Sequence, residues 1–190
     1  MCNSRIFILF IALAMLVGCT QIPITGSGNV VTQEEPITGF DKVDISYSFD
    51  VNISQGETFS VVIRADDNLV EHLQVIKQDS TLMIGLKPNS PDMRSATLQA
   101  DITMPELTRL DLSGSSHATI TGFKSAQVFV VDAFGDSHLQ GDIEADTVSF
   151  NLDGSSEVIL TGSAQNVIIE EATGSSDCLL YTSPSPRDRS

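Results

Sequence analysis

Two columns of side chains in the C-terminal half carry residue types that can do chemistry. Gly114-Ser-Ser-His117, Gly135-Asp-Ser-His138, Gly154-Ser-Ser-Glu157 and Gly174-Ser-Ser-Asp177 recur at spacings of 21, 19 and 20 residues. Their last positions align His117, His138, Glu157 and Asp177. Imidazole and carboxylate together are a ligand set for zinc, and carboxylates alone suit calcium. A second column, Asp111, Asp132, Asn151 and Glu171, precedes the same corners. Carboxylates one coil apart approach the roughly 5–5.5 Å separation used by retaining glycosidases.

Spacing and composition weigh against each of these chemistries. At about 4.8 Å per stacked strand, His117 and Glu157 lie roughly 9.6 Å apart. That is too far to share one tetrahedral ion with bonds of about 2 Å. The nonapeptide glycine-aspartate repeat of calcium-bound β-rolls is absent. A lyase acting on acidic sugars needs basic groups, and between Asp111 and Asp177 the only one is Lys124. A hydrolase cleft grips sugar rings on exposed aromatics, but the chain has no Trp, and Tyr47 is its only tyrosine before Cys178. Serines at every corner point to a structural role rather than to a nucleophile. The expectation is no catalytic residue, no metal site and no cofactor. Two alternatives remain: a polysaccharide hydrolase or lyase, and a structural or stress-response component of the envelope.

The elements that position these columns are legible as strands. Val43, Ile45, Tyr47, Phe49, Val51 and Ile53 alternate with polar residues, which predicts one long strand with a single buried face. Phe59, Val61 and Ile63 resume the alternation after a turn at Gln55-Gly56-Glu57. Leu69, Val70 and Leu73 share helical spacing and predict one helical turn. Gln74 to Lys77 and Thr81 to Leu86 flank a hairpin turn, and Leu98, Ala100, Ile102 and Met104 mark a strand ended by Pro105. The repeat that follows has secondary glycines at Gly122, Gly141 and Gly162. A fixed period near twenty, without a leucine skeleton or helical return, predicts a parallel β-helix. Gly permits its sharp corners, and serines of successive coils are expected to bond one another as a ladder. The expected fold class is all-β, an N-terminal β region (26–105) leading into β-helical repeats (106–177).

Formal net charge is −15, with 25 acidic against 10 basic residues. Such a surface repels nucleic acid and other polyanions, so a nucleic-acid partner is excluded. A neutral or cationic ligand, a glycan or another protein, fits the charge better. The oligomeric state is left open.

The N-terminus bears the signs of export. Arg5 precedes twelve apolar residues, Ile6 to Val17, too short a run to span a bilayer. Leu16-Val17-Gly18-Cys19 resembles the lipobox of bacterial lipoprotein precursors. The resemblance implies a signal peptide (1–18), lipidation of Cys19, a short tether (19–25) and attachment to a membrane through lipid. Thr20 follows that cysteine, where an aspartate is associated with inner-membrane retention, so outer membrane or cell surface is expected. Residues 178–190, Cys-Leu-Leu-Tyr-Thr-Ser-Pro-Ser-Pro-Arg-Asp-Arg-Ser, resemble a translated sequencing-library adapter and are expected to be non-native. Cys19 is then the one cysteine of the mature native chain, and no disulfide is expected.

Gly26-Ser-Gly-Asn-Val30, Ser48-Phe-Asp-Val51, Ala65-Asp-Asp-Asn-Leu69 and the Leu112-Ser-Gly-Ser-Ser116 type of repeat together resemble the GIN-domain family of auto-transporter adhesin heads. The resemblance runs from about Gly26 to Asp177. It implies an envelope protein with an adhesive role, often lipid-anchored, and brings no established catalytic residues. The family's usual corner is closer to Gly-Ser-Gly-Asp; here the third position is serine, and two corners end in histidine.

Overall fold

The computed structural model describes residues 22–182. The chain forms β1 (Ile24–Thr25), β2 (Val30–Glu34), β3 (Lys42–Ile45), β4 (Asp50–Gln55) and β5 (Ser60–Asp66). A single 3₁₀ turn, Val70–His72, follows, where helical spacing predicts one. Then come β6 (Leu73–Gln78), β7 (Thr81–Leu86), β8 (Met93–Arg94), β9 (Leu98–Met104) and β10 (Arg109–Leu112). Last are β11 (His117–Gly135), β12 (His138–Gly154), β13 (Glu157–Ala172) and β14 (Asp177–Thr182). The expected all-β class is met: strand makes up 66% of the described residues and the sheet curls as an open half-barrel.

Sheet order explains how one surface is built from distant segments. The main path runs β2-β5-β9-β4-β11-β10-β3-β7-β6, with β12, β13 and β14 added in turn beyond β11. β3 pairs in parallel with β10, and β4 with β11. Strands of the N-terminal region therefore lie in the same sheet as the repeats. From β11 onward each strand pairs in parallel with the segment about twenty residues later: His117 with His138, His138 with Glu157, and Glu157 with Asp177. Flanking these, β2-β5, β5-β9 and β6-β7 are antiparallel. The predicted hairpin is β6-β7, closed between Gln78 and Thr81 with Asp79 at φ 54°.

Registry stacks like on like along one core. Val43, Leu110, Val131 and Phe150 occupy one interior column, with Leu82 beneath Val43. Val51, Ala118, Leu139 and Val158 form another, with Ala100 beneath Val51. All ten are buried. Burying a Val, Leu or Phe side chain contributes about 1.5–3 kcal/mol, so each column is a continuous source of stability. Among the described residues, β14 pairs with Glu157 to Gly162 of β13, and Val167, Ile168 and Ile169 farther along β13 are exposed.

The twelve-residue strand expected over residues 43–54 is two strands with a corner between them. β3 ends at Ile45, β4 starts at Asp50, and Tyr47 takes φ 80°. Alternation survives because the corner uses an even number of residues and sends Phe49 inward, fully buried. Register places Ser46-Tyr-Ser-Phe49 beneath Ser113-Gly-Ser-Ser116, so this corner is the base of the glycine column. A Cβ on Gly114 would sit 2.3 Å from the Tyr47 carbonyl oxygen. The Tyr47 hydroxyl accepts a 2.6 Å bond from the Met93 amide.

The expected serine ladder is mostly a backbone ladder. Amides of Asp136, Ser155 and Ser175 donate to the carbonyls of Gly114, Gly135 and Gly154 at 2.7–2.8 Å. Hydroxyls instead close individual corners: Ser116 donates to the Ser113 carbonyl at 2.7 Å and Ser176 to that of Thr173 at 2.8 Å. Between coils, the Ser156 hydroxyl donates to the Ala133 carbonyl at 3.2 Å and lies 3.3 Å from the Ser176 hydroxyl, and Ser116 also reaches the Tyr47 carbonyl at 3.4 Å. A hydroxyl three residues past a carbonyl meets it across a tight turn, so the local bond competes well.

Candidate functional site

The two sequence columns are real columns, and each has a member that the repeat pattern concealed. The first is Asp50, His117, His138, Glu157 and Asp177, on the adjacent strands β4, β11, β12, β13 and β14. Asp50 was hidden because its corner carries Tyr and Phe in place of Gly and Ser. The signal was nevertheless present: Ser46-Tyr-Ser-Phe-Asp50 repeats the hydroxyl spacing of Ser113-Gly-Ser-Ser-His117. The His117 and His138 rings stack at 4.8 Å between centroids with planes only 8° apart. His138 Nδ1 lies 3.0 Å from Glu157 Oε2, and His117 Nδ1 lies 3.6 Å from Asp50 Oδ1. A groove of about 220 Å³ runs beside them, lined also by Thr119 and Gln140. Among the described residues, no three His, Cys, Asp or Glu side chains converge as a metal cage.

The second column is Asp44, Asp111, Asp132, Asn151 and Glu171. Arg109, two residues before Asp111 on the same strand face, governs it. Its Nε donates to Asp111 at 2.9 and 3.1 Å, and its Nη2 reaches the Asp132 carboxylate in the next strand. Asp132 is buried beneath this contact. The guanidinium therefore bridges the two carboxylates. Sequence reasoning passed over Arg109 because it lies just before the repeats, although the i, i+2 spacing to Asp111 puts both on one face.

Burial, together with a hydrogen bond to Asp132, outweighs Arg109 and pushes the Asp111 carboxyl up to about 6. Burial also raises Asp44. A carboxyl whose value rises from 3.8 to about 6 on folding binds its proton more tightly in the native state. Stability from this group is thus greatest below about pH 4 and falls as pH rises toward 6. Asp111→Asn is expected to raise unfolding free energy by about 1 kcal/mol at pH 7.5, after allowance for solvent screening. At pH 3.5 the gain should vanish. Urea melts at the two pH values check this, and equal destabilisation at both would contradict it.

The other resembling motifs also meet. Gly26-Ser-Gly-Asn and Asp66-Asp-Asn, some forty residues apart, form one clasp. The buried Asp66 carboxylate accepts from the Gly28 amide at 2.8 Å and the Thr97 amide at 2.7 Å. Asp67 accepts from the Ser27 hydroxyl and the Asn29 side-chain Nδ2, and these bonds hold its carboxyl below the usual range. Asn68 accepts from the Ser27 amide and donates to the Thr25 carbonyl. Their polar atoms are thus committed to backbone and neighbours.

Cys19, the expected lipidation site, lies outside the described residues. No helix among the described residues is long and apolar enough to cross a membrane. β14 runs through Thr182, across the expected break at 177, and carries a free, half-buried Cys178 whose thiol is pushed up by burial.

Residues 39–182 match the family described as "Putative auto-transporter adhesin, head GIN domain". The chain belongs to that family. Several solved structures share its fold at low identity. A "putative adhesin" from Parabacteroides distasonis is 16% identical, with a TM-score of 0.73 over 84% of this chain and 68% of its own. A "putative lipid binding protein" from the same species is 16% identical, with a TM-score of 0.59 over 86% and 100%. A "putative adhesin" from Bacteroides fragilis is 16% identical, with a TM-score of 0.55 over 84% and 98%. No curated protein sequence matches the chain.

Proposed function

We propose that this GIN-domain chain is an exported, non-enzymatic adhesion module. It is tethered through lipid on Cys19 and displayed at the outer membrane or cell surface. Membership of the adhesin-head family is the observation that carries the reading. The parallel pairing in steps of about twenty residues supports treating β10 to β14 as coils of a parallel β-helix, whose acidic face meets the ligand. Rigid, regularly spaced polar columns suit repeated weak contacts with a neutral or cationic glycan or protein. The tie between Arg109, Asp111 and Asp132 supports the non-enzymatic part, because neither carboxylate stands free to act on a substrate.

One preparation tests both halves. Cells expressing the chain should incorporate radiolabelled palmitate, and Cys19→Ala should abolish the label; label that persists removes the anchor. On a glycan panel the protein should bind without releasing product. Product release that disappears in Asp111→Asn would replace the adhesion reading with a hydrolase or lyase.

A further inference from the structure

We propose that His117 and His138 form a two-imidazole site for a divalent transition metal ion of the zinc, nickel or copper class. The carboxylates beside them serve as orienting partners rather than ligands. Each ring turns Nδ1 to a carboxylate, His117 to Asp50 at 3.6 Å and His138 to Glu157 at 3.0 Å. A carboxylate facing one ring nitrogen keeps the proton there and leaves the lone pair on the other. Among the described residues, no hydrogen bond engages Nε2 of either ring. Two adjacent strands therefore present two imidazoles stacked at 4.8 Å and nearly parallel, each with Nδ1 turned to a carboxylate on its outer side.

A tetrahedral ion bound through both Nε2 atoms, at bonds of about 2.0–2.1 Å, needs those atoms about 3.4 Å apart. The lone pairs of the stacked rings run side by side, so binding requires both rings to rotate out of the stack toward the ion, and side-chain exposures of 59% and 39% leave them room to do so. Water in the groove of about 220 Å³ beside Thr119 and Gln140 would complete the coordination. This is distinct from a four-ligand cage: Glu157 fixes His138 and need not span two coils to touch the ion. Imidazole pairs select zinc, nickel and copper over calcium and magnesium.

Calorimetric titration of the tag-free chain, with its cysteines alkylated, tests the site with Ni²⁺, Zn²⁺ and Ca²⁺. One Ni²⁺ or Zn²⁺ per chain should bind, and Ca²⁺ should not. His117→Ala and His138→Gln should each weaken Ni²⁺ binding at least about tenfold, and Glu157→Ala about tenfold. His72→Ala, distant from the column, should leave binding unchanged. Far-UV circular dichroism should be the same for all variants, since the replaced side chains are substantially exposed. Absence of saturable Ni²⁺ binding, survival of binding in His117→Ala, or equal binding of Ca²⁺ would overturn the proposal.

Discussion

Asp66→Ala is expected to lower the unfolding free energy by about 3 kcal/mol, among the largest effects of any polar substitution in this chain. Its side chain is fully buried and accepts two backbone amides, Gly28 at 2.8 Å and Thr97 at 2.7 Å. A hydrogen bond to a charged group contributes about 1.5–3 kcal/mol, and stranding a buried amide adds a desolvation cost. The two amides belong to segments before β2 and before β9, so loss of the carboxylate loosens both from the end of β5. Asp66→Asn should recover part of the loss: its oxygen can accept one amide, while its NH₂ group faces the other donor. Urea denaturation followed by circular dichroism measures both variants. A change below about 0.5 kcal/mol for the alanine variant would show that the clasp holds little.

Gly135→Ala should cost about 2–4 kcal/mol, combining left-handed backbone strain with a collision. Gly135 has φ 82°, and a Cβ there would lie 2.6 Å from the Gly114 carbonyl oxygen. That oxygen also accepts the Asp136 amide at 2.8 Å, so relieving the collision disturbs the corner ladder. Gly122→Ala separates the two contributions. It has φ 78°, but its Cβ would meet nothing within 4 Å, so only the conformational cost of about 1 kcal/mol should appear. Equal losses for the two variants would show that close stacking of the corners does not matter.

Much of the fold could be read in the residues because its periodicities are local. Leu98, Ala100, Ile102 and Met104 alternate with polar neighbours, and all four are buried in β9. The period near twenty announced the strand registry from His117 to Asp177, including the columns of His and carboxylate. The corner at Tyr47 escaped because inward-outward parity is blind to a turn that consumes an even number of residues. Asp50 escaped because the other members of its column were found by glycine-serine corners that its own segment lacks, and Arg109 because it stands just before the repeats, outside either column.

By itself the sequence determined the all-β class, the acidic net charge, the family and which residue types recur at each corner. These depend on alternation, composition and spacing along one chain, all of which survive without coordinates. Tertiary structure alone decided that the N-terminal strands share one sheet with the repeats, since β3 and β4 meet β10 and β11 across more than sixty residues. It also decided the states of the columns. Arg109 closes the acidic one, while in the other Glu157 bonds His138 and Asp50 lies 3.6 Å from His117. Those outcomes rest on side-chain reach and parallel register between distant strands, and no spacing within a single segment encodes either.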